Sequence, residues 1–223
     1  FYGRRQSILE AENLRDVVWD LLTESIAEAA HEYLPEFYSY ETAAEWAGRT
    51  FGLMIDAGQI AGKDAEDVAE LLRDQASDAA REAIEEGLAE FVPDPLDYAE
   101  GERVPGPDYQ SLVRWAQSRL NVDLKESELK RTPIEDLPRH ILEAAEAAFQ
   151  EVDCSPLEEM LSDRFRREAL ADWTERKFEL GLTGADFDGL DTDAAARFIL
   201  DRIEEVYRHK ERTYPIEFAI EDY

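Results

Sequence analysis

The stretch Leu14-Arg15-Asp16-Val17-Val18-Trp19-Asp20-Leu21-Leu22-Thr23-Glu24-Ser25-Ile26-Ala27-Glu28-Ala29-Ala30-His31-Glu32-Tyr33 contains neither proline nor glycine. Its apolar residues Leu14, Val17, Val18, Leu21, Leu22, Ile26, Ala29, Ala30 and Tyr33 recur three and four apart, which lines one face of a helix. No proline occurs before it either, so the spacing predicts one long amphipathic helix over 1–33. Pro35 closes it by disfavouring α geometry in the residue it follows.

The same reading extends along the chain. A second helix is expected over Glu41 to Ile60, although Gly48, Gly52 and Gly58 each weaken a helix interior by about 1 kcal/mol relative to alanine. Asp64 stands where an N-cap belongs, with Asp67 in the first turn. Val68, Leu71, Leu72, Ala76, Ala79, Ala83 and Leu88 then carry a helix to about Phe91, with an acidic opposite face. Between Pro93 and Pro107 lie four prolines and two glycines, the densest run of helix breakers. A boundary is expected there, between a first part, 1–92, and a second, 108–223, joined by 93–107. Asp108 caps the next helix, through Leu112, Trp115, Ala116 and Leu120, and further helices are expected at about 134–152, 156–180 and 191–211. Tyr214, Ile216, Phe218 and Ile220 alternate with other residues, the period of a half-buried strand, so a short extended C-terminal segment is expected at an edge because of Pro215. The expected fold class is all-α, a long helix plus an irregular helical bundle.

Composition narrows function. The 223 residues carry 24 Lys+Arg against 53 Asp+Glu, a formal charge of −29, which excludes a binder of nucleic-acid phosphates and argues against docking on an anionic membrane. A 44% hydrophobic content supplies enough apolar material for a core. No apolar run approaches the roughly 20 residues of a membrane span, and Phe1 to Arg5 do not lead into a signal-peptide stretch. The single cysteine, Cys154, excludes internal disulfides and multi-cysteine metal sites. The absence of an initiator methionine at Phe1 suggests a piece of a longer chain.

Few constellations could carry chemistry. Glu28 and His31 have the Glu-x-x-His spacing of carboxylate-bridged di-metal bundles, but His140 and His209 are preceded by Leu137 and Val206, so the second copy is missing and no metal site is expected. Cys154 lies at a helix entrance among acidic neighbours that would raise its pKa, and reads as a filler residue. Neither a phosphate loop nor Gly-x-Gly-x-x-Gly is present, so no cofactor-binding or catalytic residue is assigned. Trp19, Trp46, Trp115 and Trp173 sit in separate helical segments and read as anchors between helices. Arg164-Phe165-Arg166-Arg167 is a basic knot, expected to pair with Glu158, Glu159, Asp163 and Glu168; docking to an acidic partner is the sharper alternative. Arg139-His140-Ile141-Leu142 with Glu146 and Phe149 recurs 58 residues later as Arg197-Phe198-Ile199-Leu200 with Glu204 and Tyr207. Either amphipathic helices of similar composition resemble each other, or a helical unit has been duplicated.

Phe1-Tyr2-Gly3-Arg4-Arg5-Gln6-Ser7-Ile8-Leu9-Glu10, followed by Asn13-Leu14-Arg15-Asp16, resembles the start of the helical scaffold region of the SecA preprotein translocase ATPase family, where the pattern is aromatic-Tyr-x-x-Arg-x-x-hydrophobic-Leu. Tyr109-Gln110-Ser111-Leu112 through Asn121-Val122-Asp123-Leu124 is similar to the family's wing helix and the turn after it. Ile199 to Glu211, with Tyr207-Arg208-His209-Lys210-Glu211, is similar to the wing helix with a Tyr-x-x-Lys-Glu ending, and Ile141 to Phe149 is a weaker copy. The chain departs from the family in a longer stretch from Glu41 to Pro107 and in stopping before the two-helix finger. It also lacks the ATPase motor motifs and the zinc-binding tail. The resemblance implies a non-catalytic scaffold-and-wing part of a bacterial export motor. ATP would belong to the full-length protein only, and the partners would be the motor domains of the same parent chain. Preprotein and a SecYEG-type channel would be met through that parent, which would be cytoplasmic and peripheral at the inner membrane, with no nucleic acid bound and no membrane insertion. A free-standing acidic helical adaptor for a basic protein partner is the alternative.

A charge of −29 on 223 residues implies self-repulsion that salt relieves. The fold is expected to melt at a higher temperature in 1 M salt than at about 0.01 M, where the Debye length is ~30 Å; equal or lower melting temperatures in high salt would refute this.

Overall fold

The computed structural model describes residues 14–93, 98 and 103–221. Ten α-helices are present among them: α1 Leu14–Tyr33, α2 Glu36–Phe51, α3 Ala57–Ile60, α4 Ala65–Gly87, α5 Tyr109–Leu120, α6 Glu126–Leu129, α7 Leu137–Gln150, α8 Pro156–Met160, α9 Asp163–Phe178 and α10 Thr192–Glu221. No strand occurs among the described residues, and the protein is all-α. The expected start of the first helix before Leu14, and the Phe1 to Glu10 stretch, lie outside the described residues.

Three expected boundaries are corrected by local backbone chemistry. The helix expected over Glu41 to Ile60 begins instead at Glu36, directly after Pro35, and ends at Phe51. There Gly52 takes a left-handed φ of 70° and its N–H donates to the Gly48 carbonyl at 3.1 Å, an ending that glycine adopts without strain. Asp56 then starts the separate turn α3 through a reciprocal cap with Gln59. The helix expected over 156–180 is two, because the Ser162 hydroxyl accepts the Phe165 N–H at 3.2 Å and caps α9 afresh. The expected extended segment at Tyr214 to Ile220 is helical and continues α10 to Glu221. A strand must find a neighbour for its backbone groups, whereas each residue added to an existing helix satisfies them internally. The caps at Asp64 and Asp108 stand as expected, accepting from Asp67 N at 2.9 Å and Ser111 N at 3.1 Å.

The chain divides into two compact units, but not at 93–107 as the prolines suggested. One contains 1–42 and 159–223, the other 43–158. The segments on either side of the proline-rich run belong to the same unit, because they share a core. Phe91 and Trp115 lie 5.9 Å apart, and Asp108 N donates to Phe91 O at 2.9 Å. Breakers mark where helices stop, not where packing stops.

In the first unit α1 and α10 run antiparallel. His31 faces Asp193 at 3.8 Å near one end, Trp19 meets Tyr207 edge-on at 5.9 Å further along, and Arg15 faces Glu211 at 4.0 Å. α9 adds Leu170 and Ala171 to the core made by Ile26, Ala29, Ala30, Ala195 and Ile199. The turn at Gly184–Phe187 closes that core with Phe187, which packs edge-on against Phe198 at 5.9 Å. In the second unit α4 packs antiparallel against α7. Ser77 donates to Glu146 at 2.6 Å, Arg73 approaches Cys154 at 3.7 Å, and Leu112, Ala116, Leu129, Leu137 and Ile141 complete the core with Ala80 and Ile84. Both members of the internal echo bury their isoleucine, Ile141 and Ile199, but in different cores.

Gly184 lets its turn press on α9. A Cβ there would stand 2.8 Å from Glu168 Cγ and 3.1 Å from the Glu168 backbone nitrogen. The flexible side chain can move and the helix backbone cannot. Gly184→Ala should therefore lower stability by roughly 1–3 kcal/mol, the usual range for overpacking. Gly62→Ala, with no atom within 4 Å but a φ of 75°, should be destabilised by backbone strain alone. Urea unfolding of both variants checks this, and an unchanged midpoint for Gly184→Ala would contradict the close approach.

Candidate functional site

The groups that the sequence offered for chemistry are kept apart or used up. Glu28 and His31 are both exposed on α1, and His31 turns to Asp193 instead of completing a cluster. No group of three or more His, Cys, Asp or Glu among the described residues could hold a metal ion. Cys154 is half-buried, and that burial, with Asp153 beside it, raises its thiol pKa more than the Arg73 guanidinium lowers it. The thiol is not activated. The basic knot is spent on structure. Arg164 binds Glu168 at 2.7 Å, Arg167 reaches Asp188 at 3.0 Å, and Arg166 pairs with Asp163 and donates to the Leu34 carbonyl beyond the end of α1. Asp163 and Glu168 were expected partners; the Asp188 and Leu34 contacts depend on the turn and on α1, which no local spacing encodes. Each tryptophan meets an aromatic neighbour: Trp19 with Tyr207, Trp46 with Phe51, Trp115 with Phe91 and Trp173 with Phe178.

Two exposed surfaces stand out among the described residues. The first is an apolar groove of about 350 Å³ between α1 and α10, formed by Val18, Trp19, Leu22, Ile203 and Tyr207 with Arg15 at its margin. Arg15 stacks over the Tyr207 ring at 5.1 Å. Val18, Val206 and Tyr207 are 46%, 39% and 38% exposed, unlike Ile26 and Ile199 one or two turns away, which are fully buried. The difference follows from α9, which packs over the Ile26 to Ala30 stretch and joins the core there. Toward Arg15 the described helices form a pair alone, and a pair of helices cannot bury both sides of its seam.

The second surface is the outer face of α4. Glu66, Glu70, Asp74, Asp78, Glu82 and Glu86 follow one another at intervals of four, and all six are exposed. The sequence reading found an acidic face here but not its register. Residues four apart are neighbours on a helix, and like charges there oppose folding by about 0.2–0.5 kcal/mol per pair. Five successive pairs oppose this helix by roughly 1–2.5 kcal/mol, offset in part by Arg81 on Asp78 at 3.1 Å.

Asp74→Lys replaces two of those repulsions, with Glu70 and Asp78, by attractions. It should stabilise the protein by about 1 kcal/mol at low salt, and the gain should shrink in 1 M salt. Thermal melts at both ionic strengths check this; a loss of stability at low salt would contradict the reading of the row as a self-repelling face.

Compared with known proteins, the chain gives no significant match to a family model, to a curated protein or to a solved structure.

Proposed function

We propose that this chain is the scaffold-and-wing part of a SecA-type export motor, a non-catalytic helical element that joins an ATPase core to the path of the preprotein. The observation that carries the reading is the antiparallel pairing of α1 with α10. It brings Arg15 beside Glu211 and leaves an apolar groove at that end. Residues 34–191 are thus inserted between two paired helices, and the sequence that resembles the family leads directly into the first of them. Such an insertion, continued at its paired end by further helices of a parent protein, would have the groove covered by that parent. No helix among the described residues is long and apolar enough to cross a membrane, which suits an element that meets a membrane only through its parent. ATP would belong to that parent, at the inner membrane, beside a SecYEG-type channel.

The acidic row on α4 favours a second reading, a free-standing adaptor that recruits a basic protein partner, where complementary charge mainly raises the association rate.

The deciding experiment is to read and express the full reading frame. A phosphate-loop ATPase encoded upstream, with ATP-dependent preprotein transport that Trp19→Asp in the groove impairs, is the expected result. The isolated chain should hydrolyse no ATP above a buffer blank. An initiator methionine immediately before Phe1, with no motor domain in the frame, would overturn the export reading in favour of the adaptor.

A further inference from the structure

In the unit formed by 43–158, a cavity of about 390 Å³ opens where α2, α5 and α7 end against the middle of α4. It exists because α4 presents small residues there, Ala76, Ala79, Ala80 and Ala83, while Phe51 and Phe149, packed against each other with ring centroids 6.2 Å apart, form one wall. The volume lies within the range of about 300–1,000 Å³ usual for small-molecule sites.

Its lining differs in charge composition from the rest of the molecule. With 53 acidic residues in 223, a lining of this size would ordinarily include several carboxylates, yet it includes none. Its only charged members are Arg49 and Arg119. Arg49 is partly satisfied by Glu45, whose side chain lies 3.6 Å away and whose carbonyl accepts from Nε at 3.3 Å. The Arg119 guanidinium has no hydrogen bond or ion pair among the described residues. Both arginines stand in last helical turns, where a cation also complements the helix dipole. That role explains a basic residue at each position but not an aromatic-walled hollow from which acids are excluded.

We propose that this cavity binds a small amphipathic anion, an aromatic or branched apolar body of drug-like size carrying one carboxylate, sulfonate or phosphate. The apolar body lies over Ala79 and Ala83 against the wall made by the two phenylalanines, and Arg119, assisted by Arg49, takes the anionic group. A neutral ligand of the same shape would gain the apolar contact alone. Both arginines are exposed to solvent, so the charge adds up to about 1 kcal/mol, a factor of about five at most.

The test is a fluorescence titration of the whole chain with two probes, anilinonaphthalene sulfonate and the neutral N-phenylnaphthylamine, which share a ring system and differ in the sulfonate. The expected result is one saturable site that prefers the sulfonate by about threefold to fivefold. Arg119→Gln should abolish that preference while leaving the neutral probe bound, and Arg114→Gln, on the same helix but outside the lining, should change neither. Ala79→Trp, at an exposed position on the rim, should block both probes, with circular dichroism confirming native helix content. Sulfonate binding that survives Arg119→Gln unchanged, the absence of a saturable site, or binding lost in Trp19→Ala at the groove between α1 and α10 would each overturn the proposal.

Discussion

The constraint on which the structure depends is that a chain with 53 acidic residues must keep its carboxylates in water while the ten described helices close their seams. Burying an unpaired carboxylate is far more costly than any single apolar contact can offset, so acidic residues occupy outer faces and the helices approach each other along alanine. Thirteen of the thirty buried apolar residues described are alanine, among them Ala29, Ala30, Ala195 and Ala196 where α1 meets α10, and Ala76 and Ala80 on α4. Alanine has the highest helix propensity and loses no side-chain entropy on burial, but it removes little apolar area from water. The cohesion of each unit therefore rests on a few large side chains: Ile26, Leu170, Phe187 and Ile199 in one, Leu72, Ile84, Leu112 and Ile141 in the other.

Charge is handled locally. Most ion pairs among the described residues join residues three or four apart in sequence, as in Arg139 with Asp136 and Glu143, Lys130 with Glu126, or Arg208 with Glu204. Exposed pairs of this kind contribute about 0–1 kcal/mol each, so they trim the self-repulsion of individual helices without organising the tertiary structure. Contacts that do connect distant segments are few and specific, notably Arg167 with Asp188, Arg166 with the Leu34 carbonyl, and Ser77 with Glu146. They sit beside alanine-lined seams, where a directional bond can set the register that small, featureless side chains leave loose.

The same economy produces the two concavities. A seam lined by alanine closes only where the facing helix also comes near. Where α4 passes the ends of α2, α5 and α7, no backbone comes close enough and a hollow remains. Where α1 and α10 extend past α9, the larger residues Trp19, Leu22, Ile203 and Tyr207 are left with one side uncovered. Both are concave places where the described molecule leaves apolar side chains partly uncovered. One is bordered by arginines and sized for a small anion; the other is an open seam between two helices.

Much of the helical content was legible from residue spacing, because amphipathic periodicity and capping are local. The stripe through Val17 and Ile26, and the caps at Asp64 and Asp108, needed only neighbours within four or five residues to be recognised. Helix ends were less legible where a choice turned on one backbone conformation, as at Gly52 and Ser162. The segment after Tyr214 was misread because apolar alternation over seven residues fits either a strand or the continuation of a helix. Pairing was not legible at all. That the segments flanking 93–107 share one packed unit, that α10 returns along α1, that Arg167 reaches Asp188, and that no acid lines the cavity beside Phe51 and Phe149 follow from contacts between residues tens of positions apart. Alanine-rich helices are nearly interchangeable as neighbours in their local pattern, so only their mutual packing selects which of them meet.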